Sequence, residues 1–250
     1  QVQLPFWALT GLFFCRALLH GRVRDWALAG AMLALCFWSK YAAFALAASL
    51  ALFLLFDRDA RRTLVTPKPY VMAAVFLVVI APNLWWLVTH DFMPFRYVDA
   101  RARLAVTLVE DVTFPLRWIG GQIFFLLPTL ALLALAYWPR PAAAAPAPGS
   151  EAFARRIVTM LALGPFLVTT LVAIVTRRLP IAMWGYPLWS FAPLAAMLWA
   201  GAVTDPKALR RLAAGILAVM LAMPLAYAGA ELLEPLVRDR PKATQFPGRE

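Results

Sequence analysis

Charge is scarce in this chain of 250 residues: Asp, Glu, Lys and Arg together make up 15%, and only 13 residues are acidic. A soluble domain carries about 25% charged and about 45–50% apolar residues. With 63% hydrophobic residues and a mean hydropathy of +0.72, one water-soluble core is excluded. Histidine is nearly absent: His20 and His90 are the only two, so no multi-histidine metal centre can form and no metal site is expected. Cysteine is equally rare. Cys15 and Cys36 both lie in apolar runs and form no CxxC pair, which excludes a disulfide-stapled module and leaves two thiols acting as small hydrophobes.

What the chain has instead is long apolar runs. They cover 4–19, 26–38, 41–56, 70–88, 114–138, 157–175, 181–203 and 212–233, rich in Ala, Leu, Phe and Val. None shows the period-two alternation of a barrel strand. A bilayer crossing takes about 20 apolar residues in a helix, and a helix satisfies all of its own backbone groups in lipid. The expected fold is all-α: a polytopic integral membrane protein with about eight transmembrane helices. The net charge of +11 sits in short clusters between the runs, as membrane flanks do. It makes no stripe interleaved with aromatics, so nucleic acid is not an expected partner. Membrane lipids are.

The second and third runs are short and meet at Ser39-Lys40. They read either as a hairpin of two helices or as one long bent helix. The hairpin is preferred because both flanks of the pair are basic, with Arg22 and Arg24 before it and Arg58, Arg61, Arg62 and Lys68 after it. Basic short loops stay on one side, the cytoplasmic one. That choice puts loops 20–25, 57–69, 139–156 and 204–211 in the cytoplasm. Lys40, loop 89–113 and Arg177-Arg178 then lie outside. Residues 1–138 hold the first membrane helices and the outer interfacial loop 89–113. A Pro/Ala-rich cytoplasmic linker follows at 139–156, then the last three membrane helices at 157–236 and a polar tail at 237–250. Pro82, Pro128, Pro165, Pro193 and Pro224 fall inside the runs, where a proline kinks a helix and frees a carbonyl.

Charges at membrane depth are expensive and by default mark a site. Lys40, between Trp38 and Tyr41, is either a lysine snorkelling to the interface or a compact charge that holds a phosphate. Downstream of Pro82-Asn83-Leu84-Trp85-Trp86 come His90, Asp91, Phe92, Phe95, Arg96, Tyr97, Asp99 and Arg101. This is either an aromatic anchor with a solvated loop or a grip on an anionic headgroup, with Asp91 or Asp99 as a base for a hydroxyl acceptor. Arg177 and Arg178, just before Trp184 and Tyr186, read equally as a stop-transfer flank and as phosphate ligands. Glu110 and Asp111 are expected just ahead of a helix whose N-terminal dipole they favour, with Arg117 about one turn inside. Together these groups suit an amphiphile with a phosphate headgroup and a sugar. Mid-helix positions look devoid of acidic or polar residues, which argues against an ion-coupled transporter.

Phe6-Trp7 through Arg16, residues 21–26, Trp38-Ser39-Lys40-Tyr41, Ala81 to Trp86 with His90, Phe92, Phe95 and Arg96, and then Trp184, Tyr186-Pro187 and Pro193 resemble the bacterial membrane glycosyltransferases of family 39. These are relatives of the dolichyl-phosphate-mannose protein mannosyltransferases and of the lipid A aminoarabinose transferases. The resemblance implies a C-type glycosyltransferase fold in a bacterial inner membrane. It implies transfer, with inversion, of a sugar from a polyprenyl-phosphate donor to an acceptor at the outer face. It supports donor-phosphate roles for Lys40 and Arg96, to which the reading of the residues adds Arg177 and Arg178. His90, Asp91, Tyr97, Trp184 and Tyr186 are then interfacial or substrate-facing. The family's catalytic acid lies in a first outer loop near the chain start, and no acidic pair precedes Lys40. The expectation is therefore a fragment that begins several helices into the family pattern, or a truncated homologue without its base; no catalytic residue and no cofactor is assigned. The alternative is a non-catalytic membrane subunit that packs on protein partner chains in a larger complex.

Overall fold

The computed structural model describes residues 2–138, 150–200 and 206–233. The apolar runs form α-helices: α1 (Gln3–His20), α2 (Val23–Ser39), α3 (Ala43–Phe56), α4 (Lys68–Thr89), α6 (Leu108–Ala136), α7 (Ser150–Thr176), α8 (Ala192–Ala200) and α9 (Pro206–Leu233). A short helix, α5 (Met93–Arg101), lies between α4 and α6, and two 3-10 segments occupy Ala60–Val65 and Ala182–Trp189. The fold is all-α apart from one ribbon of two residues per strand, β1 (Arg103–Leu104) against β2 (Arg178–Leu179), paired antiparallel. Among the described residues α4, α6, α7 and α9 are long and apolar enough to cross a membrane, which makes this a polytopic membrane protein.

Side-chain contacts fix the direction of each helix. Gln3 at the start of α1 donates to the Lys40 carbonyl, 3.2 Å away, just beyond α2, while Arg16 and Asp25 meet at the other end of the same pair. Thus α1 and α2 are antiparallel. Helices α2 and α3 are separate and reverse at residues 40–42, which gives the hairpin rather than the bent helix. Trp38 donates to the Val79 carbonyl at 3.1 Å, so α4 runs parallel to α2. Arg156 near the start of α7 bridges Asp57 and Asp59 beyond the end of α3, at 2.8 and 2.5 Å. Arg177 beyond the end of α7 meets Asp111 in the first turn of α6. Ala208 at the start of α9 packs on Leu133 and Ala136. One end of the bundle therefore holds Asp25, the 57–66 segment and Arg156; the opposite end holds Lys40, α5, the ribbon and Arg177-Arg178.

Three boundaries differ from the sequence reading. Helix α7 starts at Ser150, so residues 150–156 are helical rather than linker; Glu151 and Arg155, an i,i+4 pair at 3.9 Å, belong to its first turns. Residues 139–149 and the tail at 237–250 lie outside the described residues. Helix α6 starts six residues before the apolar run. Thr107 caps it by accepting from the Glu110 N–H at 3.2 Å, so Glu110 and Asp111 sit inside the first turn and Arg117 is near the third. The 181–203 run is not one helix. Pro187 falls in its first half and Pro193 in the first turn of α8; a proline has no N–H to continue the i→i−4 ladder and is tolerated in a first turn. A 3-10 stretch and a short α8 result, so Pro193 starts a helix instead of kinking one.

The core lies between α1, α2, α3, α6 and α7, where Trp7, Phe14, Trp26, Leu46, Leu50, Trp118, Ile157 and Leu161 are buried. Phe14 and Trp26 meet edge-on with centroids 5.9 Å apart. Without a hydrophobic drive between helices in lipid, small residues set how closely they pack. Gly30 is the clearest case: a Cβ there would sit 2.2 Å from the Met72 carbonyl oxygen of α4. Inside the same core Asp25 is 1% exposed, its nearest cation being Arg16 Nε at 3.4 Å. Neither carboxylate oxygen has a hydrogen-bond partner among the described residues.

Gly30→Ala is expected to push α2 away from α4 and to destabilise the protein by about 1–3 kcal/mol, read as a lower unfolding midpoint in detergent. Arg16→Ala leaves Asp25 as an uncompensated buried charge, and breaking such a pair costs about 3 kcal/mol. The double variant Arg16→Ala/Asp25→Asn is expected to recover much of that loss in the same measurement.

Candidate functional site

Lys40 ends α2 in extended conformation, φ −169° and ψ 132°, in a position held from several sides. Gln3 fixes its carbonyl. The adjacent Tyr41 donates its hydroxyl to Asn83 Oδ1 at 2.9 Å and packs on Phe95 of α5 with ring centroids 5.2 Å apart. The Lys40 ammonium lies 5.4 Å from the centroid of the Tyr186 ring. Desolvation lowers its pKa below the ordinary 10.5, because a partly dehydrated ammonium gives up its proton more readily.

Tyr186 is held there by a residue the sequence reading passed over. Gln122, fully buried in the middle of α6, donates to the Ala182 carbonyl at 2.9 Å and accepts from Trp189 Nε1 at 3.1 Å. It thus ties both ends of the 3-10 segment that carries Tyr186. Gly185 makes room for it, since a Cβ there would lie 2.0 Å from Gln122 Oε1. The expectation that mid-helix positions lack polar residues is therefore corrected: Gln122 in α6 and Asn83 in α4 are both buried. The signal was available, because a lone amide inside a lipid-spanning run needs partners. The Trp184 side chain lies outside the described residues.

Arg177 and Arg178 are committed to protein partners. Arg177 follows α7 with φ +55°, a left-handed conformation usually left to glycine. Its side chain spans the gap to Asp111 with two hydrogen bonds of 2.7 and 2.8 Å, and this partner raises its pKa further. Arg178 donates to the Asp99 and Ala102 carbonyls at 2.9 and 3.2 Å and pairs with the Asp99 carboxylate at 2.5 Å. It thereby caps the C-terminus of α5, whose last carbonyls have no helical partner. With the ribbon and the Ala105 N–H bonded to the Arg177 carbonyl at 2.8 Å, these contacts fasten the 89–113 segment to the end of α7.

The other residues lie along that segment. His90 closes α4 with Nδ1 2.8 Å from the Trp86 carbonyl and its ring stacked on Trp86, centroids 4.5 Å apart. Asp91 and Phe92 both adopt positive φ, 49° and 54°, and turn the chain sharply into α5. Consecutive left-handed positions without glycine store backbone strain. Arg96 is exposed on α5, next to the Phe95 that touches Tyr41, and has no ion-pair partner among the described residues. Tyr97 is exposed with the Arg101 guanidinium 5.4 Å from its ring. All of the residues singled out in the sequence whose side chains are described thus lie at the Lys40 end. Lys40 meets Tyr186, whereas Arg177 and Arg178 face Asp111 and Asp99.

Asp111→Asn is expected to release the 89–113 segment from α7. Hydrogen exchange at residues 93–105 should speed up in this variant while exchange in the α1–α2 pair stays unchanged.

The family model described as dolichyl-phosphate-mannose-protein mannosyltransferase matches residues 1–86. Comparisons with curated proteins and with solved structures return no match. The matched stretch takes in α1 to α3 and nearly all of α4, with Gln3, Lys40, Tyr41 and Asn83 among its residues; Arg96, Arg177 and Arg178 lie beyond it. The resemblance read from the sequence is borne out there: residues 1–86 carry the pattern of the dolichyl-phosphate-mannose-protein mannosyltransferase family.

Proposed function

We propose that this protein is a membrane glycosyltransferase that takes a sugar from a polyprenyl-phosphate donor and transfers it to an acceptor at the outer face of a bacterial inner membrane. The observation that carries the reading is the position of Lys40, inside the family-matched residues, partly desolvated and facing Tyr186. In this reading the Lys40 ammonium and the unpaired Arg96 receive the donor phosphate. As the bond between the sugar carbon and the phosphate oxygen breaks, negative charge grows on the leaving phosphate, and fixed cations in a dehydrated site stabilise that charge more than water does. Tyr186 and Tyr97 offer aromatic faces to the sugar and the isoprenoid, with His90 and Asp91 at the interface. Arg177 and Arg178 join the phosphate site only where it displaces Asp111 and Asp99; otherwise their part is to hold the outer segment in place.

The alternative is a non-catalytic subunit that packs on other chains. It draws on α9, where Leu217, Met220, Leu221, Met223 and Leu225 are all exposed.

Binding of undecaprenyl phosphate to the full chain in detergent distinguishes the two. Lys40→Ala is expected to weaken binding about tenfold, the worth of one charge-assisted contact, and Lys40→Arg to retain part of it. Since desolvation lowers the lysine pKa, binding should fall off as the pH rises, sooner than for an exposed lysine. Unchanged affinity in both Lys40→Ala and Arg96→Ala overturns the assignment and favours the subunit.

A further inference from the structure

A second cationic feature lies at the same end, beyond the 3-10 segment that carries Tyr186. Arg101, Arg103 and Arg117 line a groove of about 300 Å³ whose other walls are Trp118 and residues 179–182. The three guanidiniums come from separate parts of the chain: the end of α5, β1 and the third turn of α6. Their charges are unequally compensated. Arg103 pairs with Glu110 and lies over the Phe114 ring, 5.3 Å from its centroid. Glu110 is occupied further by accepting from the Val106 N–H at 2.9 Å. The nearby Asp111 and Asp99 are taken by Arg177 and Arg178. Arg101 and Arg117 have no ion-pair partner among the described residues; Arg101 has only the face of Tyr97.

We propose that this groove is a second phosphate-binding site, separate from Lys40, that takes the anionic headgroup of a membrane amphiphile.

Three things fit that ligand. The lining pairs cationic groups with an apolar wall of Trp118, Leu179, Pro180 and Ile181, which suits a headgroup followed by an acyl or isoprenoid chain. Arg117 lies three residues, roughly 5 Å at 1.5 Å per residue, inside the apolar run that begins at Phe114. A guanidinium at that depth on a lipid-facing helix is costly without a counter-anion and reaches the interface by snorkelling. Finally, Leu108 and Val109 in the first turn of the same helix are 83% and 70% exposed, an apolar surface open to lipid. Planar guanidiniums set in a fork are also the side chains best matched to phosphate oxygens. The groove lies close to the Lys40 site: Ala182 in its wall and Tyr186 over Lys40 are four residues apart, about 8 Å along a 3-10 helix. A bound amphiphile would thus rest beside the proposed donor, although the site stands or falls without it.

The test uses the full chain in phosphatidylcholine vesicles doped with a diazirine-bearing phosphatidic acid. Labelled peptides are mapped by mass spectrometry, with a diazirine-bearing phosphatidylcholine as the zwitterionic control. The phosphatidic acid probe is expected to label residues 177–189 and the α6 peptide that contains Trp118. Arg101→Gln/Arg117→Gln should reduce that labelling about tenfold, the worth of a lost charge-assisted contact, while Arg101→Lys/Arg117→Lys keeps most of it and shows that the fold survives. Lys40→Ala should leave groove labelling in place whatever it does to undecaprenyl phosphate binding, so the two readings fail separately. Equal labelling by the phosphatidylcholine probe, or labelling unchanged in the Gln double variant, overturns the proposal. Displacement of the probe by an equal concentration of inorganic phosphate also overturns it, because the ligand is then a free anion rather than a lipid headgroup.

Discussion

Water is missing from the middle of a bilayer, and the rest of this structure follows from that. With nothing else to bond, backbone N–H and C=O groups in the hydrocarbon must pair within their own helix, so the greasy runs become helices and irregular chain is driven to the two ends. Charge follows the irregular chain. Arg156 with Asp57 and Asp59 gathers at one end; Arg177 with Asp111 and Arg178 with Asp99 gather at the other. Asp25 in the core departs from this, and it pairs with Arg16 at 3.4 Å. It ties the α1–α2 pair at the end closed by the 21–22 turn, while Gln3 and the Lys40 carbonyl tie the open end.

At the Lys40 end the same economy yields a platform rather than a set of free loops. Arg178 spends its donors on the last carbonyls of α5, Arg177 spends its own on the first turn of α6, and a two-residue ribbon joins their segment to the one before α6. Each contact satisfies backbone or carboxylate groups that would otherwise be left at the membrane boundary. The consequence for a site is order: Asn83 holds Tyr41, on which Phe95 of α5 packs, and Gln122 holds the 3-10 segment that brings Tyr186 to Lys40.

Much of this was readable in the sequence. Hydropathy gave the helices, and the basic flanks around residues 20–25 and 57–69 gave the hairpin, because charge that must stay in water leaves only one way for two short runs to go. What was not readable depends on partners far apart in the chain. Arg177 and Arg178 look like free cations until Asp111 and Asp99, more than sixty residues earlier, are seen beside them. The first turn of α7 reads as linker because Arg155 and Arg156 are polar, yet Asp57 and Asp59 give Arg156 a reason to be helical there. Pro187 and Pro193 signalled the broken helix, but an apolar composition outweighed them. Gln122 was visible and undervalued: one amide in a hydrophobic run is a statement that something polar lies across from it.

The pairing of the arginines also bears on why a lysine stands where it does. A guanidinium keeps its charge under all conditions and prefers planar acceptors, so an arginine near a carboxylate is readily captured by it. Lys40 has a single compact charge, partly stripped of water, with the face of the Tyr186 ring beside it. A ring quadrupole holds a cation without neutralising it. The two arginines bound to acids at this end keep the architecture in place, whereas under the proposed function the lysine beside the aromatic is the cation that meets the donor phosphate.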